Sequence, residues 1–303
     1  MNSVSLPECP ICGSNQIVRI GKPQISSQAA GFVNADHHVV KCKRCRFYYV
    51  FPQIPFSEKQ WERLYENEYF GEMPSWWARK RSEDRKQRLD WLQEASHRKI
   101  NRFLDIGCGE GYVLIEALKR GWTTYGVDVY DNRIDVAKDK SITFFRGNIF
   151  QASFPNDFFD CIYMDSVLEH VLDPFRQLCE VRRILREGGV VYIGVPNEDC
   201  LFNDVKRLIY ILSGRRNLSA RLWPFKRPYH IIGFTKESLM EVLGKSGLEI
   251  VRFRNFAGEY EWRRFKCFTK PFLVNLFLLP IHLIAIPLRK RIYFDVIVRK
   301  TNQ

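Results

Sequence analysis

The chain has 303 residues, of which 46% are hydrophobic, and a formal net charge of +13. That apolar fraction excludes a disordered chain, and the length accommodates one large α/β domain with a small appendage. The charge, with a sequence pI near 9.4, suits an anionic partner such as nucleic acid, a membrane surface or a phosphorylated substrate without choosing among them, and a solvated basic surface fits equally well.

Pro7, Glu8 and Cys9 arrive before any apolar run long enough for a secretory signal, so the expectation is a cytoplasmic protein. Four of the nine cysteines form two pairs, Cys9 with Cys12 in CPICG and Cys42 with Cys45 in CKRC. The other five are scattered, unlike a secreted disulfide framework. Two thiolates on a tight turn can share one ion, and two such turns complete a tetrahedral shell that suits zinc and leaves no position open for chemistry. The expectation is a structural Zn2+ site in a zinc-ribbon module over residues 1–52, with FYYVFP as the aromatic material of a minimal core. His37 and His38 are read as loop residues.

Residues 53–100 change character. WERLYENEYF and WWARKRSEDRKQRLDWLQEASH are rich in charge and aromatics, and the second has neither Gly nor Pro after Pro74. Leu89 and Leu92 mark a narrow apolar stripe, which predicts a helical connector packed on the main domain. Acidic residues interleave with the basic ones, which argues against a nucleic-acid-binding helix.

From residue 101 strands alternate with helices: RFLDIG, TTYGVDV, ITFFRGN, FFDCIYMDS and GGVVYIGVP are separated by helical or polar segments. This pattern predicts a mostly parallel sheet with helices on both faces and a ligand beyond the carboxyl ends of the strands. In FLDIGCGEGYVL three glycines fall in a strand-to-helix turn, where a ligand can approach the main chain near a helix amino terminus. Asp128 ends the second strand about twenty residues later, placed to accept from both ribose hydroxyls, although an Asp there also suits a helix cap. Asn148 ends the third strand and offers a bond to adenine, while Asp165 and Ser166 end the fourth. The spacing GCGEG departs from the G-x-G-x-x-G of dinucleotide-binding dehydrogenases.

LDIGCGEGYVL, GVDV, GNIF, FDCIYMDSVLEHVLDP and LREGGVVYIGVPN, in this order over residues 101 to 255, resemble the successive motifs of the class I S-adenosylmethionine-dependent methyltransferases. The resemblance implies a Rossmann-like seven-stranded, mostly parallel sheet across 101–303. It also implies that Asp105, Gly107 and Gly109 hold the methionine part of the cofactor, the backbone giving way to it, and that Asp128 holds the ribose and Asn148, where the family usually has Asp, meets adenine. Asp165 is included in the cofactor set.

Methyl transfer from a sulfonium requires alignment of an acceptor and often removal of its proton. His170 is the candidate base, with Glu169 as an orienting carboxylate, since similar Glu-His pairs lie at the acceptor site in some relatives. His230, in RPYHIIGFTKESL, is a second candidate; this segment resembles the one leading from a lid over the acceptor into a helix capped by Thr235. The preceding stretch near 200–230 reads as a lid that shapes acceptor specificity.

LEIVRFRNF and RIYFDVIVRK resemble the closing antiparallel hairpin of the sheet, interrupted by an apolar insertion near 263–291. A membrane span would part the last strand from its sheet, and Pro280 and Pro287 interrupt regular helix. The favoured reading is a reentrant or interfacial hairpin with basic flanks, peripheral at the inner face of a membrane, where anionic lipid adds roughly 1 kcal/mol per surface cation. The acceptor expected is a small molecule or a lipid-linked saccharide, methylated on oxygen or carbon. RNA or protein methylation is the enzymatic alternative, and a non-catalytic assembly subunit is the alternative of another class.

Overall fold

The computed structural model describes residues 8–26, 36–54, 57, 59–60, 75–139, 141–226, 228–257 and 269–301. The expectations for residues 61–74 and 258–268 therefore lie outside the described residues. Three strands open the chain, β1 (Ile17–Gly21), β2 (His38–Cys42) and β3 (Tyr48–Phe51), followed by the helix α1 (Ser75–Ala95). Next come β4 (Arg102–Ile106), α2 (Tyr112–Lys119), β5 (Thr123–Asp128), β6 (Thr143–Arg146), β7 (Phe159–Asp165), α3 (Pro174–Ile184) and β8 (Leu185–Pro196). The chain finishes with α4 (Leu201–Leu212), β9 (Ile232–Gly233), α5 (Lys236–Lys245), β10 (Leu248–Phe256), α6 (Lys270–Ala285) and β11 (Tyr293–Lys300).

Seven strands form one sheet in the order β10, β11, β8, β7, β4, β5, β6. β4 to β8 run parallel, and β11 is inserted antiparallel between β8 and β10. The Rossmann-like arrangement expected from the sequence is present. β7 sits near the middle with both faces covered, which is why FDCIYMD is almost continuously apolar and buried. Successive β7 side chains alternate between two cores. Phe159, Ile162 and Met164 join the core shared with α3 and α5, whereas Cys161 and Tyr163 join the one built around Leu89 and Leu92 of α1 and Leu114 and Ala117 of α2.

Local chemistry sets the helix ends. Asp173 caps α3 by accepting from the Arg176 amide at 2.9 Å, with Pro174 in the first turn. Thr235 caps α5 as expected and exchanges bonds reciprocally with Ser238. Between β5 and β6 the chain forms only a 3-10 turn, Asp135–Lys138. α6 continues through Pro280, contrary to the expectation that this proline interrupts it, so the described part of the apolar insertion is one helix rather than a hairpin. Pro280 points to the exposed side, where a missing amide hydrogen bond costs least. Among the described residues no helix is long and apolar enough to cross a membrane.

The amino-terminal strands make a second sheet in the order β1, β2, β3, β9, and its fourth strand comes from the end of the lid segment. Phe47, Tyr49, Val39 and Val40 belong to the same core as Ile162 and Leu178 of the large sheet. The amino-terminal module thus shares both a strand and a core with the rest of the molecule. His38 opens β2 rather than a loop.

α1 does more than bury Leu89 and Leu92. Its Arg88 is 7% exposed and donates to Asp165 at 2.8 Å and to Asp295 of β11 at 3.1 Å. Arg254 and the Tyr192 hydroxyl also donate to Asp295. Removing one member of a buried ion pair leaves its partner uncompensated, at about 3 to 5 kcal/mol. Arg88→Ala is therefore expected to lower the unfolding free energy by about 3 kcal/mol in urea titrations, the low end because Arg254 stays on Asp295; an unchanged midpoint would show that the network is dispensable.

Candidate active site and metal centre

The carboxyl ends of β4, β5, β6 and β7 open into a cleft of about 1050 Å³. That is as large as the biggest common ligand pockets, which run from about 300 to 1,000 Å³. It holds every residue expected to bind the cofactor: Asp105, Gly107, Gly109, Asp128, Asn148 and Asp165.

Gly107 needs its glycine for two reasons, a φ of +69° and a neighbour: a Cβ there would lie 2.6 Å from Cγ2 of Val167. The close approach at Gly107 thus includes an internal one, between the β4 and β7 turns. Gly109 donates its amide to Asp128 Oδ2 at 2.8 Å, so the glycine turn itself orients the carboxylate at the tip of β5. Asn148 lies two residues past the end of β6 rather than on it, and its Oδ1 accepts from the amides of Phe150 and Gln151, both at 3.0 Å. The side-chain nitrogen, not the oxygen, remains for further recognition.

Asp128, Asp105 and Asp165 end three adjacent strands, so three carboxylates meet in a desolvated cleft. Burial drives the Asp105 carboxyl well above its usual range, with Asp128 and Asp165 adding repulsion and Arg85 opposing it. Burial also raises Asp128 against the pull of the Gly109 amide. At Asp165 burial again pushes upward, but Arg88 and the Tyr293 hydroxyl, 2.7 Å away, win and hold it below the usual range. Asp165 is therefore already paired, whereas Asp105 and Asp128 lack a matching cation of comparable proximity.

Sequence reasoning treated α1 as a connector and missed its arginines. Arg81 and Arg85 line the cleft, and the Arg85 guanidinium lies 4.7 Å from the Tyr112 ring centroid at the start of α2. Their four-residue spacing, which puts both on one helix face, was the available signal.

At the other end of the cleft, the turn after β7 carries Glu169 and His170, and the end of the lid carries His230. The Ile231 amide donates to the Glu169 carbonyl at 3.0 Å, while the Ile231 carbonyl accepts from Val50 of β3 at 3.0 Å. One residue thereby ties the segment ahead of β9, the turn after β7 and the amino-terminal sheet together. The two imidazoles are 5.1 Å apart in an edge-to-face arrangement. Burial lowers His170 to about 4, against a bond from its Nδ1 to the Tyr229 carbonyl, and burial with His170 nearby holds His230 well below the histidine range. Burial raises Glu169 well above the carboxylate range. Both rings are thus neutral near pH 7.

The four expected metal ligands converge: Cys9, Cys12, Cys42 and Cys45 are buried with their sulfurs all within 4.8 Å of one another. Cys9 to Cys45 and Cys12 to Cys42 are each 3.5 Å. A tetrahedral ion with metal–sulfur bonds of about 2.3 Å separates its sulfurs by about 3.8 Å, so the set fits zinc. The hydrogen bond from Cys45 draws Cys9 down to about 5, so one thiolate forms readily, and that same bond pushes Cys45 upward. His37 and His38 are not in the cluster; the His37 Nδ1 faces the Pro52 carbonyl at 3.0 Å.

A large sheet of this strand order, with a carboxylate-lined cleft at its switch point, is the fold of the class I S-adenosylmethionine-dependent methyltransferases. The sequence profile of the methyltransferase-domain family matches residues 77–252, more than half of the chain, and the chain belongs to that family. A ubiquinone biosynthesis O-methyltransferase of Aeromonas salmonicida is 31% identical over 122 residues, covering 37% of this chain and 50% of that protein. An uncharacterised 37.1 kDa protein in a transposon of Streptomyces fradiae is 32% identical over 109 residues, 33% of this chain and 32% of that one. The chain thus spans between a third and a half of these relatives' lengths. Among solved structures, a SAM-dependent methyltransferase from Archaeoglobus fulgidus superposes with a TM-score of 0.51 at 19% identity, over 79% of this chain and all of that one. A phosphoethanolamine N-methyltransferase of Haemonchus contortus with S-adenosylmethionine gives 0.51 at 18% identity, over 81% of this chain and 58% of that one. These two likenesses establish the fold.

Since β9 completes the amino-terminal sheet, Cys42→Ser is expected to release zinc, measured by metal analysis, and to raise amide exchange at Ile231 and Ile232 while the glycine turn at 107–111 keeps its protection. Loss of protection throughout the large sheet would instead make the cysteine cluster a requirement for the whole fold.

Proposed function

We propose that this chain is an S-adenosylmethionine-dependent methyltransferase that methylates oxygen or carbon of a small-molecule or lipid-linked saccharide acceptor next to a membrane surface. The observation that carries the reading is Asp128, fixed at the tip of β5 by the Gly109 amide and facing a cleft large enough for a cofactor and an acceptor together. A carboxylate there accepts from both hydroxyls of a ribose. Asp105, as a hydrogen-bonding carboxyl, and Asp165, as a carboxylate held by Arg88, line the part of the cleft assigned to the cofactor, Asn148 is assigned to adenine, and Arg81 and Arg85 to the methionine carboxylate.

In the transfer, the acceptor's electron pair forms the new bond to the methyl carbon while the carbon–sulfur bond breaks and its pair returns to sulfur as a neutral thioether. The protein's tasks are alignment and removal of the acceptor proton. His170 and His230, neutral and at the far end of the cleft, are the groups able to take it, with Glu169 behind them. The Aeromonas relative's name, an O-methyltransferase of ubiquinone biosynthesis, favours a small acceptor hydroxyl.

Support for a surface location comes from α4 and α6, which pack together and are joined by Lys290 to Asp204 at 2.7 Å. Leu212 and Phe277 are 78% and 80% exposed, and Leu208, Ile209, Leu273 and Leu276 extend the patch. Arg215, Arg216 and Arg289 are exposed nearby in the chain. An apolar face rimmed by cations matches an anionic lipid interface, and it lies on the lid that borders the acceptor end of the cleft.

Calorimetry with S-adenosylmethionine tests the core of this reading. The wild-type protein is expected to bind at micromolar concentrations and Asp128→Ala to lose about tenfold or more, the value of a charged hydrogen bond; equal affinity would remove Asp128 from the cofactor site. For the location, sedimentation with phosphatidylglycerol vesicles is expected to capture the wild-type protein and to release Leu212→Glu/Phe277→Glu. Wild-type protein left in the supernatant would confine the function to soluble acceptors.

A further inference from the structure

Glu169, His170 and His230 form a second convergence of ligating atoms, on the cleft and remote in sequence from the cysteines: one donor atom from each lies within 4.8 Å of the other two. Glu169 is 1% exposed, and neither of its carboxylate oxygens has a hydrogen-bond partner. A buried carboxylate in that condition is costly enough that native structures provide it with a donor or a cation. The His230 Nε2 lies 3.7 Å from the Glu169 Oε1, beyond hydrogen-bond reach.

The histidines are arranged as metal ligands are. The Tyr229 carbonyl only accepts, so the His170 Nδ1 facing it at 3.3 Å carries the proton and Nε2 holds the lone pair. One ring nitrogen on a carbonyl and the other turned to an ion is the usual outer-shell pattern of metal-binding histidine. Nitrogen and oxygen ligands bound at about 2.0 to 2.2 Å lie about 3 to 4 Å apart around a common ion, and the 3.7 Å separation falls in that range.

We infer that Glu169, His170 and His230 bind one divalent transition-metal ion at the acceptor end of the cleft. Two imidazoles and one carboxylate, without thiolate, select Mn2+, Fe2+, Co2+ or Zn2+ and leave coordination positions open. His170 and His230 line the cleft, so those positions face it and suit an acceptor oxygen. The ion's presence is argued from this geometry alone; its role, holding an acceptor oxygen and easing loss of its proton so that the two histidines act as ligands instead of bases, rests on the methyl-transfer reading above. The main-chain bond from Ile231 to Glu169 that brings the lid to the turn also builds the site, since His230 precedes Ile231 directly.

The test uses the full chain with its cysteine site filled by Zn2+, titrated with Mn2+ while the free ion is counted by electron paramagnetic resonance. Mn2+ disfavours thiolate sites, so the cysteines do not compete. One Mn2+ per chain is expected, with at least about tenfold weaker binding in Glu169→Gln and in His230→Ala. Glu169→Gln keeps the shape of the side chain at a place where burial already disfavours the charged carboxylate, so its thermal melt should not fall and the comparison survives if His230→Ala folds poorly. No uptake of Mn2+ by the wild-type protein, or equal uptake by Glu169→Gln, overturns the site. Calorimetry with S-adenosylmethionine on the same samples separates the two conclusions: cofactor binding without Mn2+ removes the metal site only, and Mn2+ binding without the cofactor removes the methyl-transfer reading only.

Discussion

Three carboxylates at the tips of adjacent strands impose the constraint around which the rest of this molecule is arranged. β4, β5 and β7 end in Asp105, Asp128 and Asp165 inside one desolvated cleft, and like charges so placed repel unless cations or donors are supplied. The protein supplies them unevenly. Arg88 reaches from α1 to pair Asp165, and then spans to Asp295 on β11, so the helix that precedes the large sheet also braces its antiparallel edge. Asp128 receives a main-chain amide, and Asp105 receives little beyond the field of Arg85. The uneven supply leaves Asp105 and Asp128 as the less compensated carboxyl groups of the cleft.

A second constraint acts through a single residue. Ile231 donates its amide to the turn after β7 and accepts at its carbonyl from β3. The amino-terminal sheet is therefore bound to the segment ahead of β9 rather than an appendage beside the large domain. Asp199, just before α4, reinforces this by accepting from Lys41, Arg46 and Tyr48 of the amino-terminal module. Contact with the segments before α4 and β9 explains why so small a sheet can do without a separate core: its hydrophobic residues are buried against the large domain, and the cysteine cluster need only keep two turns in register.

The same lid carries the apolar face. α4 and α6 pack against each other and expose leucine, isoleucine and phenylalanine side chains. His170 and His230 line the cleft wall, and Asp105 and Asp128 line it at the β4 and β5 tips.

Much of this was legible in one dimension, because the sheet's strands carry local signals. β7 reads as a buried strand through its apolar run, the glycine turn through Gly107 to Gly111, and the metal cluster through two pairs of cysteines spaced for a tight turn. Asp128 was found because a strand end is fixed by where its apolar run stops. Asn148 was placed on a strand it does not join, since turn residues are set by side-chain bonds to the main chain that periodicity does not register. Pairings between distant segments had no local trace. The sequence by itself determined the layered α/β sheet, the residues at its strand tips and the four-cysteine module, each encoded within a few neighbouring residues. Only the tertiary structure decided that Arg81 and Arg85 face the cleft, that Arg88 pairs with Asp165 and Asp295, that β9 completes the amino-terminal sheet, and that His230 meets Glu169 and His170. Those contacts depend on how far-separated segments pack, and packing follows from the whole chain's burial rather than from any local pattern.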